Sequence, residues 1–196
     1  DPYSASKACA EIVADAYRSS FLADAGIYLA SVRAGNVIGG GDWATDRLIP
    51  DFLRALDEKQ TLKIRSPNAV RPWQHVLEPL SGYITLAEKL YTEGGAFAEA
   101  WNFGPSEDDA KSVSWIVENL CARIPGARWE VESGHQPHES SWLKLDSSKA
   151  KARLDWAPRW SLEKALNKTT AWHQAWRNRE DMAVATNQQI QAYTDS

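Results

Sequence analysis

The feature that most constrains this chain lies near its start, where a helical pattern passes into a short apolar segment across one glycine. Apolar residues recur at Ala5, Ala8, Cys9, Ile12, Val13, Ala16, Tyr17 and Phe21. This three-and-four spacing predicts a helix over 3–25 with one buried face. Pro2 suits its first turn and Gly26 its end. The residues that follow, Ile27 to Arg33, are apolar-rich and few, and they predict a buried strand. A helix followed so closely by a strand predicts an α/β fold.

Downstream, Gly35, Gly39, Gly40 and Gly41 punctuate the segment from Ala34 to Trp43. Glycine allows backbone to approach a ligand closely, so this loop is a candidate binding element. Helices are predicted over 48–58, 76–91, 113–124 and 162–176. Strands or extended segments are predicted over 61–65, 101–103, 128–132 and 142–145. The last dozen residues are polar and predict a frayed end.

Composition narrows the functional classes. A chain of 196 residues with 43% hydrophobic content can bury a sizeable core. Its 22 basic and 26 acidic residues give a net charge of -4, which argues against a nucleic-acid surface. An anionic ligand must therefore be met by local arginines. Cys9 and Cys121 are the two cysteines, too few for a disulfide framework or a thiolate zinc site. No apolar run reaches the roughly 20 residues of a membrane span, and the reading is a cytoplasmic protein without a membrane partner. His135, His138 and Glu139 sit in one loop, but without a further ligand cluster they read as surface residues, and no metal is expected. Most of the ten tryptophans read as packing residues at element junctions.

Tyr3 and Lys7 stand four residues apart on the first helix, so both side chains emerge on one face. An ammonium close to a phenol stabilises the phenolate and brings a pKa of about 10 toward working pH, which makes tyrosine a usable general base. A Tyr and a Lys at this spacing occur by chance in roughly one chain in three of this length, so context must carry the reading.

That context is Asp1-Pro2 before the pair, the helix it opens, and the strand ending in Arg33-Ala34-Gly35-Asn36-Val37-Ile38-Gly39-Gly40. Here the sequence resembles the extended short-chain dehydrogenase/reductase family. Within that family it is most similar to nucleotide-sugar dehydratases that act on CDP-glucose. The similarity rests on 33–43, Asp46-Arg47-Leu48-Ile49-Pro50, 70–83, Trp101-Asn102-Phe103-Gly104-Pro105, Pro137-His138-Glu139 and Leu143-Lys144-Leu145-Asp146.

The resemblance implies an incomplete Rossmann-type parallel sheet with an integrated smaller α/β substrate-binding domain. Residues 1–36 and 71–104 would be the NAD-binding part, 37–70 and 105–180 the nucleotide-sugar-binding part, and 181–196 a polar tail. It also implies NAD as cofactor, with Tyr3 as the base at the sugar 4-hydroxyl and Lys7 holding the nicotinamide ribose. Arg33 would lie on the cofactor side. Asn36, Arg47, Leu48 and Arg71 match positions that reach the nucleotide-sugar, and Trp73 and His75 are further candidates beside Arg71. For Trp73 a packing role, and for His75 a role at a helix start, stand as equal alternatives. The partners implied are CDP-glucose or a related nucleotide-sugar and a second copy in a homodimer.

No Gly-x-Gly-x-x-Gly or Gly-x-x-Gly-x-x-Gly turn occurs in the sequence, although a nicotinamide-binding domain needs one for the pyrophosphate. The expectation is that this is a carboxyl-terminal portion, with the C5 and C6 proton-transfer residues preceding Asp1, inactive alone and aggregating or marginally folded by itself. The alternatives are a dehydratase or 4-epimerase acting on a dTDP- or UDP-sugar, and a non-catalytic nucleotide-sugar-binding module.

Overall fold

The computed structural model describes residues 1–133 and 141–196, so His135, His138, Glu139 and the Pro137-His138-Glu139 stretch lie outside the described residues. The elements in order are α1 (Pro2–Tyr17), β1 (Ser31–Ala34), β2 (Asn36–Ile38), α2 (Leu48–Asp57), β3 (Leu62–Ile64), β4 (Val70–His75) and α3 (Leu77–Glu93). They continue with β5 (Ala100–Phe103), β6 (Ala110–Ser112), α4 (Val113–Arg123), β7 (Trp129–Val131), α5 (Ser148–Leu154), α6 (Leu162–Arg177) and α7 (Met182–Thr194). The expected α/β class holds: β1 pairs with β5, β2 with β4, and β3 with β7, each in parallel.

The chain divides into two compact units. The first comprises 1–34, 79–103 and 146–157, and the second 35–78, 104–145 and 158–196. In this division β4 belongs to the second unit, and α5 returns the chain to the first.

In the first unit, Asp1 caps α1 by accepting from the Ser4 backbone N–H at 2.9 Å, which satisfies one of the helix's orphan donors. A π-helical stretch, Arg18–Leu22, extends α1, and Gly26 follows at φ 69°. The unit's core gathers Leu86, Phe97, Trp101, Phe103, Ala150, Leu154 and Trp156. The Trp156 indole N–H donates to Ser81 Oγ at 3.0 Å and that of Trp101 to the Phe97 carbonyl at 3.0 Å, so both rings enter the core with their polar atoms satisfied.

Two expectations for this unit need correction. No residue of α1 is buried, and Ile12 is 68% exposed. The ties of α1 and its extension include polar ones, Glu11 to Ser31 and Arg33, and Arg18 to the Leu29 carbonyl. Nor is 27–33 a buried strand. The strand begins at Ser31, and its middle residues are exposed.

In the second unit, β4 is the centre of a three-stranded sheet, parallel to β2 and antiparallel to β6. The helices α2, α4 and α6 supply Phe52, Leu53, Ile116, Val117, Leu120, Leu162, Ala165 and Leu166 to the core beside Ile38, Ile64 and Trp73. Each such fully buried aliphatic or aromatic side chain contributes about 1.5–3 kcal/mol. The expected frayed end is instead α7, capped by Asp181 through the backbone N–H groups of Ala183 and Val184. Its Tyr193 is buried. Residues 142–145 form no strand beyond a single bridge from Trp142 to Val70.

Candidate functional site

The candidate residues fall on both units, and each group has its own local geometry. On α1 the i, i+4 spacing brings Lys7 to Tyr3, with Nζ 5.6 Å from the ring centroid. Such a contact draws an ammonium to the face of an aromatic ring. Tyr3 is 72% exposed, so its hydroxyl is open to a ligand.

Arg33 is otherwise engaged. Its Nε donates to Glu11 Oε1 at 2.9 Å and its Nη1 to Asn102 Oδ1 at 2.8 Å, while Ser31 Oγ donates to the other Glu11 oxygen at 2.7 Å. The hydrogen bond from Arg33, then that from Ser31, brings the Glu11 carboxyl down to about 2. This clamp ties α1 to β1, and its partners lie too far apart in sequence for local spacing to reveal them.

In the second unit, Asn36 lies in register with Trp73, and Ile38 with His75. Side chains alternate along a strand, so Arg71, Trp73 and His75 share one face of β4. Trp73 is buried in the core and its indole N–H donates to the Lys111 carbonyl at 3.0 Å. Arg71 is buried, with Nη1 donating to the Val70 carbonyl at 2.9 Å. Among the described residues the Asn36 side chain has no hydrogen-bond partner and is half-buried.

Arg47 stands immediately before α2 and is mostly exposed, with Nη1 3.3 Å from Asp42 Oδ2. Leu48 opens the helix and packs against the core. Among the described residues no side chain caps the first turn of α2; Pro50 has no N–H and Asp51 is acidic, which leaves the Leu48 and Ile49 N–H groups as the donors of the kind that receive phosphate oxygens. The glycines before α2 lie close to side chains of the same unit. A Cβ at Gly39 would lie 2.8 Å from Val76, and one at Gly40 only 2.1 Å from the Trp172 ring, so both are there for close packing. Gly41 alone of the three has positive φ, at 80°.

His75 ends β4, two residues before α3, and is 2% exposed. Its Nδ1 accepts from the Leu77 backbone N–H at 3.3 Å, which puts the ring hydrogen on Nε2. Nε2 itself has no partner. Burial, with a smaller contribution from the Lys168 charge, lowers the imidazole from 6.5 to about 4. The folded protein thus holds the ring neutral over a range in which the unfolded chain protonates it. Stability from this group is full above pH 6.5 and is lost as the pH falls toward 4, by on the order of 3 kcal/mol at the limit. Urea denaturation at pH 7 and pH 4.5 measures this loss. In His75→Asn, which keeps an acceptor for Leu77 without a titrating ring, the difference between the two conditions is expected to shrink by at least half.

Residues 1–169 match the family model described as GDP-mannose 4,6 dehydratase. The chain belongs to that family. It is 53% identical over 199 residues to CDP-glucose 4,6-dehydratase of Salmonella typhimurium, an alignment covering 98% of this chain and 55% of that protein. The chain therefore spans about half the length of this family relative. Among solved structures, it superimposes on UDP-glucuronic acid 4-epimerase from Bacillus cereus, in complex with UDP-glucuronic acid and NAD, with a TM-score of 0.75. That match has 22% identity and covers 90% of this chain and 53% of that one. dTDP-glucose 4,6-dehydratase from Bacillus anthracis, in complex with NAD, gives a TM-score of 0.70 at 23% identity, covering 89% and 52%. The two likenesses show a shared fold. Among the described residues no helix is long and apolar enough to cross a membrane, and no three His, Cys, Asp or Glu residues cluster to hold a metal.

Proposed function

We propose that this chain is part of an NAD-dependent CDP-glucose 4,6-dehydratase. The observation that carries the reading is the 53% identity to the Salmonella enzyme over 98% of the chain. The Tyr3 and Lys7 geometry supplies a chemical basis for it.

NAD, when bound, supplies the acceptor for the C4 hydride and the source of the hydride returned at C6. The residues present suit it: the Lys7 ammonium and Tyr3 hydroxyl are paired donors on an exposed helix face, the donor set that ribose hydroxyls accept from. In this reading Tyr3 removes the proton from the sugar 4-hydroxyl, and Lys7 places a positive charge beside the ring that must carry a negative one. The resulting 4-ketone acidifies the C5 hydrogen, and water leaves across C5 and C6. The products are CDP-4-keto-6-deoxyglucose and water, with the cofactor restored. Arg33 acts through its clamp on Glu11 and Asn102, holding α1 rather than touching the cofactor.

In the second unit, Asn36 is assigned to the nucleotide-sugar, and Arg47, Arg71 and the first turn of α2 at Leu48 to the diphosphate, whose oxygens suit arginine forks and helix amino termini. His75 and Trp73 support that face from below, as a neutral residue before α3 and a core residue. The exposed apolar residues of α1, among them Ile12, Val13 and Tyr17, suit a homodimer of the cytoplasmic enzyme.

The test uses the protein at the length its own cell makes it, incubated with NAD and CDP-glucose deuterated at C4. The expected product has lost one water and carries the deuterium at C6, as read by mass spectrometry and NMR. CDP-glucose should be preferred over dTDP- and UDP-glucose. A C4 epimer without loss of water would instead support a 4-epimerase, and ligand binding without turnover a binding module.

A further inference from the structure

The loop that carries Asp42 toward Arg47 is shaped by the carboxyl-terminal helices of the same unit. Gly40 lies directly on the Trp172 indole: a Cβ there would sit 2.1 Å from Cγ and 2.2 Å from Cδ2. Atoms so placed leave no room for a side chain, and the Gly40 backbone packs closely against the ring. Gly41 turns at φ 80° over the outer edge of the same indole, and the left-handed turn redirects the chain.

Trp172 does not choose its orientation by packing alone. Its Nε1 donates to Thr186 Oγ1 of α7 at 3.0 Å, so α7 helps to hold the ring. Trp43, which follows the glycines, tilts against Trp172, His173 and Trp176 with centroids 6.4, 6.0 and 4.6 Å away. His173 in turn is buried and held by Asp57 at 3.0 Å, and the Trp43 carbonyl accepts from Arg54 Nη2 at 3.1 Å.

Between the two braced ends lies Asp42. One of its oxygens accepts from the Ala44 backbone N–H at 3.0 Å, and the other faces Arg47 Nη1 at 3.3 Å. The contacts run without interruption from Thr186 through Trp172, Gly40, Gly41 and Asp42 to Arg47.

From this we propose that Trp172 is a positioning residue for Arg47, setting the affinity for the diphosphate of a nucleotide-sugar without touching it. The proposal rests on the dehydratase reading for the identity of that ligand. Arg47 is mostly exposed and held by one ion pair, so a shift of the loop moves its guanidinium and leaves Tyr3 and Lys7, on the other unit, unaltered. The consequence is a change in ground-state and transition-state binding together, which appears in KM and not in kcat.

The experiment compares Trp172→Ala, Trp172→Phe, Thr186→Val and Gly40→Ala with the native-length protein. Trp172→Ala and Gly40→Ala are expected to raise KM for CDP-glucose about tenfold with kcat within about twofold. Trp172→Phe keeps a ring under Gly40 and should recover KM to within about threefold, and Thr186→Val, the mildest change, should raise it about twofold. A second readout needs no turnover: native-state trypsin cleavage after Arg47 should be about ten times faster in Trp172→Ala while cleavage elsewhere is unchanged.

An unchanged KM, a fall in kcat alone, or a loss that Trp172→Phe does not rescue would overturn the positioning role. Failure of the wild-type protein to convert CDP-glucose would count against the dehydratase reading. In that event the trypsin result decides the brace by itself, faster cleavage supporting it and equal cleavage overturning it.

Discussion

Tyr3→Phe should lower kcat for CDP-glucose dehydration by about 10²–10⁴-fold, the contribution typical of a positioned general base. The substitution removes one oxygen and leaves the ring on which Lys7 Nζ rests at 5.6 Å, so the cation's position should survive. Tyr3 is mostly exposed and no residue of α1 is buried, which removes any packing reason for the variant to unfold. Its Kd for CDP-glucose should accordingly stay within about twofold, because the sugar-nucleotide contacts are assigned to Asn36, Arg47 and Arg71. Single-turnover measurement of hydride loss from C4 isolates the step concerned. Turnover retained within about tenfold of wild type would remove Tyr3 from the chemistry and with it the main support for the proposed mechanism.

What the sequence made legible is what local spacing encodes. The Tyr3 and Lys7 pair follows from i, i+4 geometry, and the helices α2, α4 and α6 lie within a residue or so of their predicted spans, since each has a strong apolar face and two have serine caps. What escaped depends on contacts between distant residues. β4 escaped because its six residues include Arg71, Pro72, Gln74 and His75, a composition of low strand propensity. The strand forms because β2 and β6 pair on both sides of it, and because Gly35 lets the Pro72 carbonyl approach where a Cβ would lie 2.3 Å away. α1 failed in the opposite sense, since a periodic apolar face shows that a surface can be buried and says nothing of whether anything covers it. The partners of Arg33, Glu11 and Asn102, are likewise found only in space. The end of the chain reads as frayed because α7 has little apolar surface, yet Asp181 offered a readable cap, and the residue that matters most, Tyr193, meets its partner 115 positions away.

That partner is Glu78, and the second large effect expected is on stability. Glu78 is completely buried in the first turn of α3, where a negative charge is favoured by the helix dipole. Its Oε1 accepts from the Trp160 backbone N–H at 2.8 Å, and its Oε2 accepts from the Arg159 backbone N–H at 3.0 Å and from the Tyr193 hydroxyl at 2.7 Å. Arg159 then turns its guanidinium onto the end of α7, donating to the carbonyls of Tyr193 and Thr194 at 3.2 and 3.4 Å. One carboxylate thereby holds the start of α3, the approach to α6 and the end of α7 within the second unit. Glu78→Ala leaves at least two buried donors without acceptors and a cavity besides, and its expected cost is about 3–5 kcal/mol. Glu78→Gln keeps the shape but points an N–H at one of those donors, so its cost should be smaller, about 2–3 kcal/mol. Tyr193→Phe removes a single hydroxyl and should cost about 1–2 kcal/mol. Because Tyr193 and Glu78 touch, the double variant Glu78→Ala with Tyr193→Phe should be less destabilised than the sum of the two singles, by at least about 0.5 kcal/mol. Denaturant midpoints of the wild type and the four variants at pH 7 decide the matter: strict additivity would mean that Tyr193 packs beside the carboxylate without depending on it, and a Glu78→Ala cost below about 1 kcal/mol would show that water replaces the lost acceptor.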